Sequence, residues 1–213
     1  MLNLLFDSEK ICLFCLDSKE DLEGYICPLC RDNIESKHNE LKINLNYLDS
    51  CYYASYYNRF IKRILHDFKF NDKSYLYKPL SELLIESIME NSLDRGIDMI
   101  FYVPLHRRKK AKRGYNQSEL LANYISKKLS IPISHSLKKV KSTKEQHRLS
   151  RRERGTNLKN SFKLKNGEEL SGKTILLVDD LITTGSTLDE CGGVLKAQGV
   201  KKLIGLCLAS PKL

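Results

Sequence analysis

The chain has no stretch longer than nine residues without an Asp, Glu, Lys or Arg, whereas a membrane-spanning helix needs about 20 predominantly apolar residues. A transmembrane helix is thereby excluded. The first residues, MLNLLFDSEK, have neither a basic start nor a long apolar run, which predicts a chain with no signal peptide and a cytoplasmic location. Neither G-x4-G-K-[ST] nor G-x-G-x-x-G occurs, so the sequence does not suggest a Walker-type ATP site or a dinucleotide fingerprint. Internal repeats and low-complexity tracts are also missing. Seven cysteines is an odd count, and in a reducing compartment it points to free thiols or metal rather than disulfides.

Acidic residues are scarce in one region only. Residues 101–170 carry 19 Lys/Arg against 5 Asp/Glu, while residues 1–100 carry 12 against 17 and residues 171–213 carry 5 against 4. Two runs hold most of the excess, HRRKKAKRG at His106 to Gly114 and KKVKSTKEQHRLSRRERG at Lys138 to Gly155. Unpaired charge at this density repels itself, so it predicts a polyanionic partner: a nucleic acid backbone or a phosphate-rich small molecule. The alternative is a solvated basic face that aids solubility.

What is present suits a soluble globular protein. The chain has 213 residues, 41% hydrophobic and 29% charged, room for one full domain of about 100 to 200 residues and a small module. The sequence divides into a Cys-rich head at 1–45 and a single α/β domain at 46–213. Tyr57, Phe60, Ile61, Ile64, Leu65 and Phe68 write one face of a helix. A second helix is predicted over Leu76 to Glu90 and a third over Gln117 to Leu129, where Leu121, Ile125 and Leu129 recur every fourth residue. Met99 to Val103, stopped by Pro104, reads as a buried strand. Thr174 to Val178 and Leu203 to Leu208 are further strands bracketing a helix at Ser186 to Gln198, with Thr187 and Glu190 spaced for a capping box and Gly199 as its stop. The polar, basic stretch 138–161 reads as a mobile loop. Strands alternating with helices predict an α/β fold with a mostly parallel sheet flanked by helices.

Cys12, Cys15, Cys27 and Cys30 form two CxxC knuckles. Such turns present paired thiolates to a tetrahedral Zn2+ ion, and a segment this short cannot bury enough apolar surface to fold without help. One structural zinc with no open coordination position is the expectation; redox-active CxxC pairs or buried thiols are the other readings. Cys51, Cys191 and Cys207 have no partner at ligand spacing and read as core residues.

ILLVDDLITTGST, Ile175 to Thr187, sets Asp179 and Asp180 at the C-terminal end of a buried strand, ahead of a turn of small hydroxyl residues and glycine that opens a helix. Ligands bind at that edge of open α/β sheets. Backbone N–H groups of such a turn favour a phosphate, and two carboxylates beside it suit ribose hydroxyls or hydrated Mg2+. A glycine at 185 is expected because the backbone there must approach the phosphate closely.

The whole 13-residue block resembles the phosphoribosyl pyrophosphate (PRPP) signature of type I phosphoribosyltransferases. The four-Cys head, VPLHRRKKAKRGYNQSE at Val103 to Glu119 and the stretch Gln146 to Asn157 resemble the ComF family, ComFC and GntX-like proteins of natural DNA uptake or growth on DNA. The resemblance implies a small N-terminal zinc ribbon fused to a type I phosphoribosyltransferase-like domain. It implies that Asp179 and Asp180 are catalytic and contact ribose hydroxyls or their Mg2+, and that Thr183, Thr184, Gly185, Ser186 and Thr187 cradle the 5′-phosphate of PRPP. Arg107, Arg108, Lys112 and Arg113 then lie in a pyrophosphate loop. Lys144, Arg148, Arg151, Arg152 and Arg154 fall in a flexible loop that closes over substrate. The partners implied are PRPP, single-stranded DNA and a ComFA-type helicase, with recruitment to the membrane DNA-uptake machinery but no membrane insertion. The sequence offers no derivable role for Tyr115, Asn116 and Gln117, and no acceptor pocket in residues 50–98, where the hood of such enzymes lies. His66 and His106 are candidate bases, although a lone His near a helix end is more often structural, and Lys69 after the first helix is ambiguous in the same way.

Overall fold

The structure, a computed structural model, describes residues 10–18, 22, 24–141, 158–165 and 168–212. In chain order the elements are α1 (Pro28–Asp32), β1 (Ser36–Glu40), β2 (Ser50–Tyr56), α2 (Arg59–Phe70), α3 (Tyr77–Glu90), β3 (Met99–Tyr102), α4 (Arg107–Arg113), α5 (Gln117–Leu129), β4 (Leu137–Lys139), β5 (Phe162–Leu164), β6 (Thr174–Leu181), α6 (Ser186–Lys196) and β7 (Lys202–Ser210). Five strands form one sheet in the order β1-β2-β7-β6-β3, and β4 with β5 forms a separate antiparallel pair. β2, β7, β6 and β3 run parallel and β1 is antiparallel at the edge. The mostly parallel α/β sheet flanked by helices is therefore as the sequence predicts.

β6 shows why the sheet is buried on both sides. Side chains alternate across a strand, and Leu176 and Val178 enter a core with α2, α3 and α5, whereas Ile175 and Leu177 enter a second core with Leu188, Cys191 and Leu195 of α6. Both acids of the DD pair thus sit where a continuous apolar strand ends. α2 buries Ile61, Ile64, Leu65 and Phe68 and is capped by Asn58, whose side chain accepts from Ile61 N. That cap is worth about 1 kcal/mol.

Cys12, Phe14, Leu22, Cys27, Cys30 and Ile34 belong to the same core as α2, α3 and α5. The head is further tied by an edge-to-face contact of Phe14 on Phe60 at 5.8 Å and by an ion pair between Arg31 and Glu86. Residues 36–40, on the head side of position 45, form the edge strand of the main sheet.

Several local features differ from the sequence expectations. The stretch after Pro104 is a helix, α4, rather than a loop, closed at each end by His106, whose Nδ1 accepts from Arg108 N, and by Gly114 at φ 85°. His106 is thus a cap. α6 starts without the expected capping box: its N-cap is Gly185 in the left-handed region, and the Glu190 carboxylate accepts from Asn160 N at 2.6 Å instead. Of the stretch 138–161, Lys138 and Lys139 belong to the strand Leu137–Lys139, and residues 142–157 lie outside the described residues. Among the described residues no helix is long and apolar enough to cross a membrane.

Candidate functional site

β6 carries the acid pair to the edge where its pairing with β3 has ended: the last partners are Tyr102 and Val178. Loops and helices following β3 and β6 consequently meet at Asp179 and Asp180. Ser118, second residue of α5, donates to Asp179 Oδ1 at 2.8 Å, and the Asp180 N–H donates to the same oxygen at 2.9 Å. Lys69, near the end of α2, pairs with Asp180 Oδ2 at 2.8 Å. Lys69 is thereby a site residue, and Ser118 is one that no sequence pattern marks. Lys139 of β4, whose ammonium lies 5.1 Å from the Phe162 ring centroid, also interacts electrostatically with Asp179. Its ammonium is pulled below its ordinary value by burial first and by Lys109 second, with Cys191 and Asp179 opposing.

Asp179 is half-buried, and burial pushes its carboxyl from 3.8 up to about 7, reinforced by the Asp180 carboxylate and opposed by the Asp180 N–H, Ser118 and Lys69. A raised carboxyl pKa penalises folding once the unfolded chain ionises. The penalty is absent below about pH 4, grows through the interval up to about 7, and is complete above it. Asp179→Asn keeps the acceptor for Ser118 and removes the charge. It is expected to raise the melting temperature by roughly 5 °C at pH 8 and hardly at all at pH 4; thermal scans at the two pH values check this.

The YNQ residues have a structural task. Tyr115 Oη donates to the Phe68 carbonyl at 2.6 Å, and Gln117 Nε2 donates to the same oxygen at 3.2 Å. Asn116 Nδ2 donates to the Val103 carbonyl at 3.0 Å. One block therefore latches the end of α2, one residue before Lys69, to the end of β3. Tyr115 also packs its ring on Phe68 at 5.8 Å.

Thr183, Thr184, Gly185, Ser186 and Thr187 make the turn from β6 into α6, with Thr184 Oγ1 and Ser186 Oγ 2.9 Å apart. A glycine is required at 185 because φ is 75° and because a Cβ would run into the Leu45 side chain and lie 3.1 Å from Ile43 Cδ1. The close approach at this position is thus to the β1–β2 connection. That connection is pinned to α6 by Asn46 Nδ2 and Tyr47 N, which donate to the Asp189 carboxylate at 2.7 and 3.0 Å. A cavity of about 800 Å3 beside α6 is lined by Tyr47, Phe162, Glu190 and Val194 and by no residue of the acid pair or turn.

α4 presents Arg107, Arg108, Lys112 and Arg113 on a helix with no buried residue. Lys110 pairs with Glu119 at 2.6 Å, and Arg113 donates to Gln117 Oε1 at 2.6 Å. Lys144, Arg148, Arg151, Arg152 and Arg154 lie outside the described residues.

The sulfurs of Cys12, Cys15, Cys27 and Cys30 lie within 4.8 Å of one another, with Cys15 and Cys27 3.9 Å apart. Four thiolates at a Zn–S distance of about 2.3 Å stand about 3.8 Å apart in a tetrahedron, so this donor set fits a zinc ribbon and could hold one ion. Burial works against ionisation of Cys12, but the N–H groups of Cys27, Cys15 and Phe14 bring it down to about 7, while burial and neighbouring thiols push Cys30 up. The two carboxylates of Asp179 and Asp180 are of a kind that suits a hydrated Mg2+ beside a phosphate.

Residues 115–212 match the phosphoribosyl transferase domain. The chain is 29% identical over 213 residues to Competence protein F of Haemophilus influenzae, covering 90% of this chain and 93% of that protein. It is 35% identical over 149 residues to the DNA utilization protein YhgH of Escherichia coli O157:H7, covering 68% of this chain and 65% of the relative. Competence protein ComFC of Bacillus subtilis is 27% identical, covering 92% of this chain and 82% of its own. Among solved structures, adenine phosphoribosyltransferase from Saccharomyces cerevisiae superposes with a TM-score of 0.43 at 14% identity, over 63% of this chain and 68% of its own.

Proposed function

Because the chain is a ComF-family homologue carrying a phosphoribosyltransferase-like domain, we propose that it binds PRPP at the DD turn and handles single-stranded DNA on the basic surface beside it, in competence or DNA utilisation. The observation that carries this reading is the meeting of two elements at one sheet edge. The acid pair, held by Ser118 and Lys69, lies at the end of β6, and the strand next to it leads into α4, where six of seven residues are Lys or Arg. In this reading the turn Thr183 to Thr187 takes the 5′-phosphate. Asp179 and Asp180 take the ribose hydroxyls or a magnesium ion, which would neutralise the pyrophosphate oxygens. Lys69 keeps Asp180 oriented until the ligand arrives. The head holds one structural zinc on Cys12, Cys15, Cys27 and Cys30.

Saturating PRPP with magnesium should raise the melting temperature. At about 100 times Kd the linkage is about 2.7 kcal/mol, roughly 5 to 10 °C for a chain of this size. Asp180→Asn should cancel the shift while leaving the unliganded protein folded. No shift in the wild type at millimolar PRPP would remove the ligand from the reading. Electrophoretic shift with an oligothymidylate, repeated across salt concentrations, tests the DNA half; a phosphate-dominated complex loses about 0.7 log units per neutralised phosphate for each decade of salt. The second reading, an active transferase with an unknown acceptor, draws on the same acid pair. Release of pyrophosphate in the presence of a candidate base, without DNA, would establish it.

A further inference from the structure

α2 has a clear buried face, and Phe70 is not on it. Ile61, Ile64, Leu65 and Phe68 point into the core, while Phe70, two residues after Phe68, is 59% exposed. The periodicity of the helix calls for a polar residue there. Instead the ring sits against the basic helix α4: the Arg113 guanidinium carbon lies 5.0 Å from its centroid. The exposed His66 ring, one turn back on α2, is 5.1 Å from it. Lys69, the adjacent residue, reaches Asp180. A largely exposed ring thus sits against a basic helix, one residue beyond the lysine that reaches the acid pair, on a helix whose end is latched by Tyr115 and Gln117.

We propose that Phe70 is a stacking platform for an unpaired base of single-stranded DNA whose phosphates lie along α4. Binding of single strands combines a cationic track with an aromatic face, because every base offers a π-surface and every nucleotide a charge. Arg113 serves both parts. Its guanidinium is held beside the ring by cation–π attraction and by the hydrogen bond to Gln117, at the end of the cationic row. The platform is sequence-tolerant, as a protein handling DNA of any origin requires. This inference rests on the DNA half of the function proposed above and adds a base-stacking partner to it.

The absence of tryptophan from the chain makes the test direct. Phe70→Trp introduces a single indole, whose emission should be quenched when an oligothymidylate binds with near wild-type affinity. Phe70→Ala should bind the same strand about tenfold more weakly with an unchanged salt slope, because stacking on one base disappears while every phosphate keeps its cation. An abasic strand of equal length should bind wild type and Phe70→Ala alike. Equal affinity of wild type and Phe70→Ala for oligothymidylate, or no quenching of the indole by a bound strand, overturns the platform while leaving DNA binding intact. Quenching by free adenine and not by the strand overturns it too, assigning the ring to a small-molecule acceptor. A wild type that binds no strand at all overturns the DNA reading and this inference together.

Discussion

Cys30→Ser, or prolonged chelation of the wild type, is expected to lower the melting temperature of the whole protein by about 10 °C or more, in one transition. A free-standing ribbon would melt by itself and leave the main domain nearly unchanged. Here Cys12, Cys27 and Cys30 are buried in one continuous core with Ile61, Leu80, Leu84 and Ile125 of α2, α3 and α5, so loss of an ion held by these thiols would loosen the layer that covers those helices. Structural zinc contributes on the order of 10 kcal/mol in isolated fingers, and even a third of that shifts a domain of this size by about 10 °C. Calorimetry with elemental analysis checks both parts: about one zinc per chain before chelation, and a single cooperative endotherm displaced downward after it. Two separated transitions, or an unchanged one, would show that the head does not support the core through its metal.

The second large effect concerns α4. Replacing Arg107, Arg108, Lys109 and Lys110 together with glutamate is expected to weaken oligothymidylate binding by at least about 100-fold near physiological salt and to lower the log–log salt slope by about 3 units, at about 0.7 for each phosphate no longer neutralised. Folding should survive, since α4 buries none of its residues and acidic side chains suit a first helical turn. PRPP-linked stabilisation should persist if the run serves DNA alone. Loss of both activities would mean that pyrophosphate and strand share α4 and compete for it; loss of neither would return the run to a solvated basic face.

The legible parts of this fold are those with a periodic apolar pattern. α5 runs over Gln117–Leu129 as its four-residue repeat predicts, and β6 and β7 extend the predicted apolar runs by a few residues. β1, SKHNE, is not legible because it is a half-exposed edge with no apolar alternation. α4 is hidden for the opposite reason. Its helix owes nothing to a buried face, only to Arg, Lys and Ala propensity and to the caps at His106 and Gly114. The DD turn can be read because all its parts are contiguous. Lys69 and Ser118 reach it from two other elements, and a local pattern carries no trace of such meetings.

The latch on the Phe68 carbonyl has a consequence for which changes the chain can accumulate. One residue of helix is a rotation of about 100° and a rise of about 1.5 Å, so inserting or deleting a residue within α2 would swing Lys69 and Phe70 away from Asp180 and Arg113 even if every side chain were retained. Substitutions on the exposed face of α2 leave that phase untouched. Among sequences that share the RGYNQS block, the distance from the helix cap at Asn58 to Lys69 should accordingly be invariant in length while free in much of its composition. The turn at Asn71–Lys73, just past the latch, is where gaps should gather.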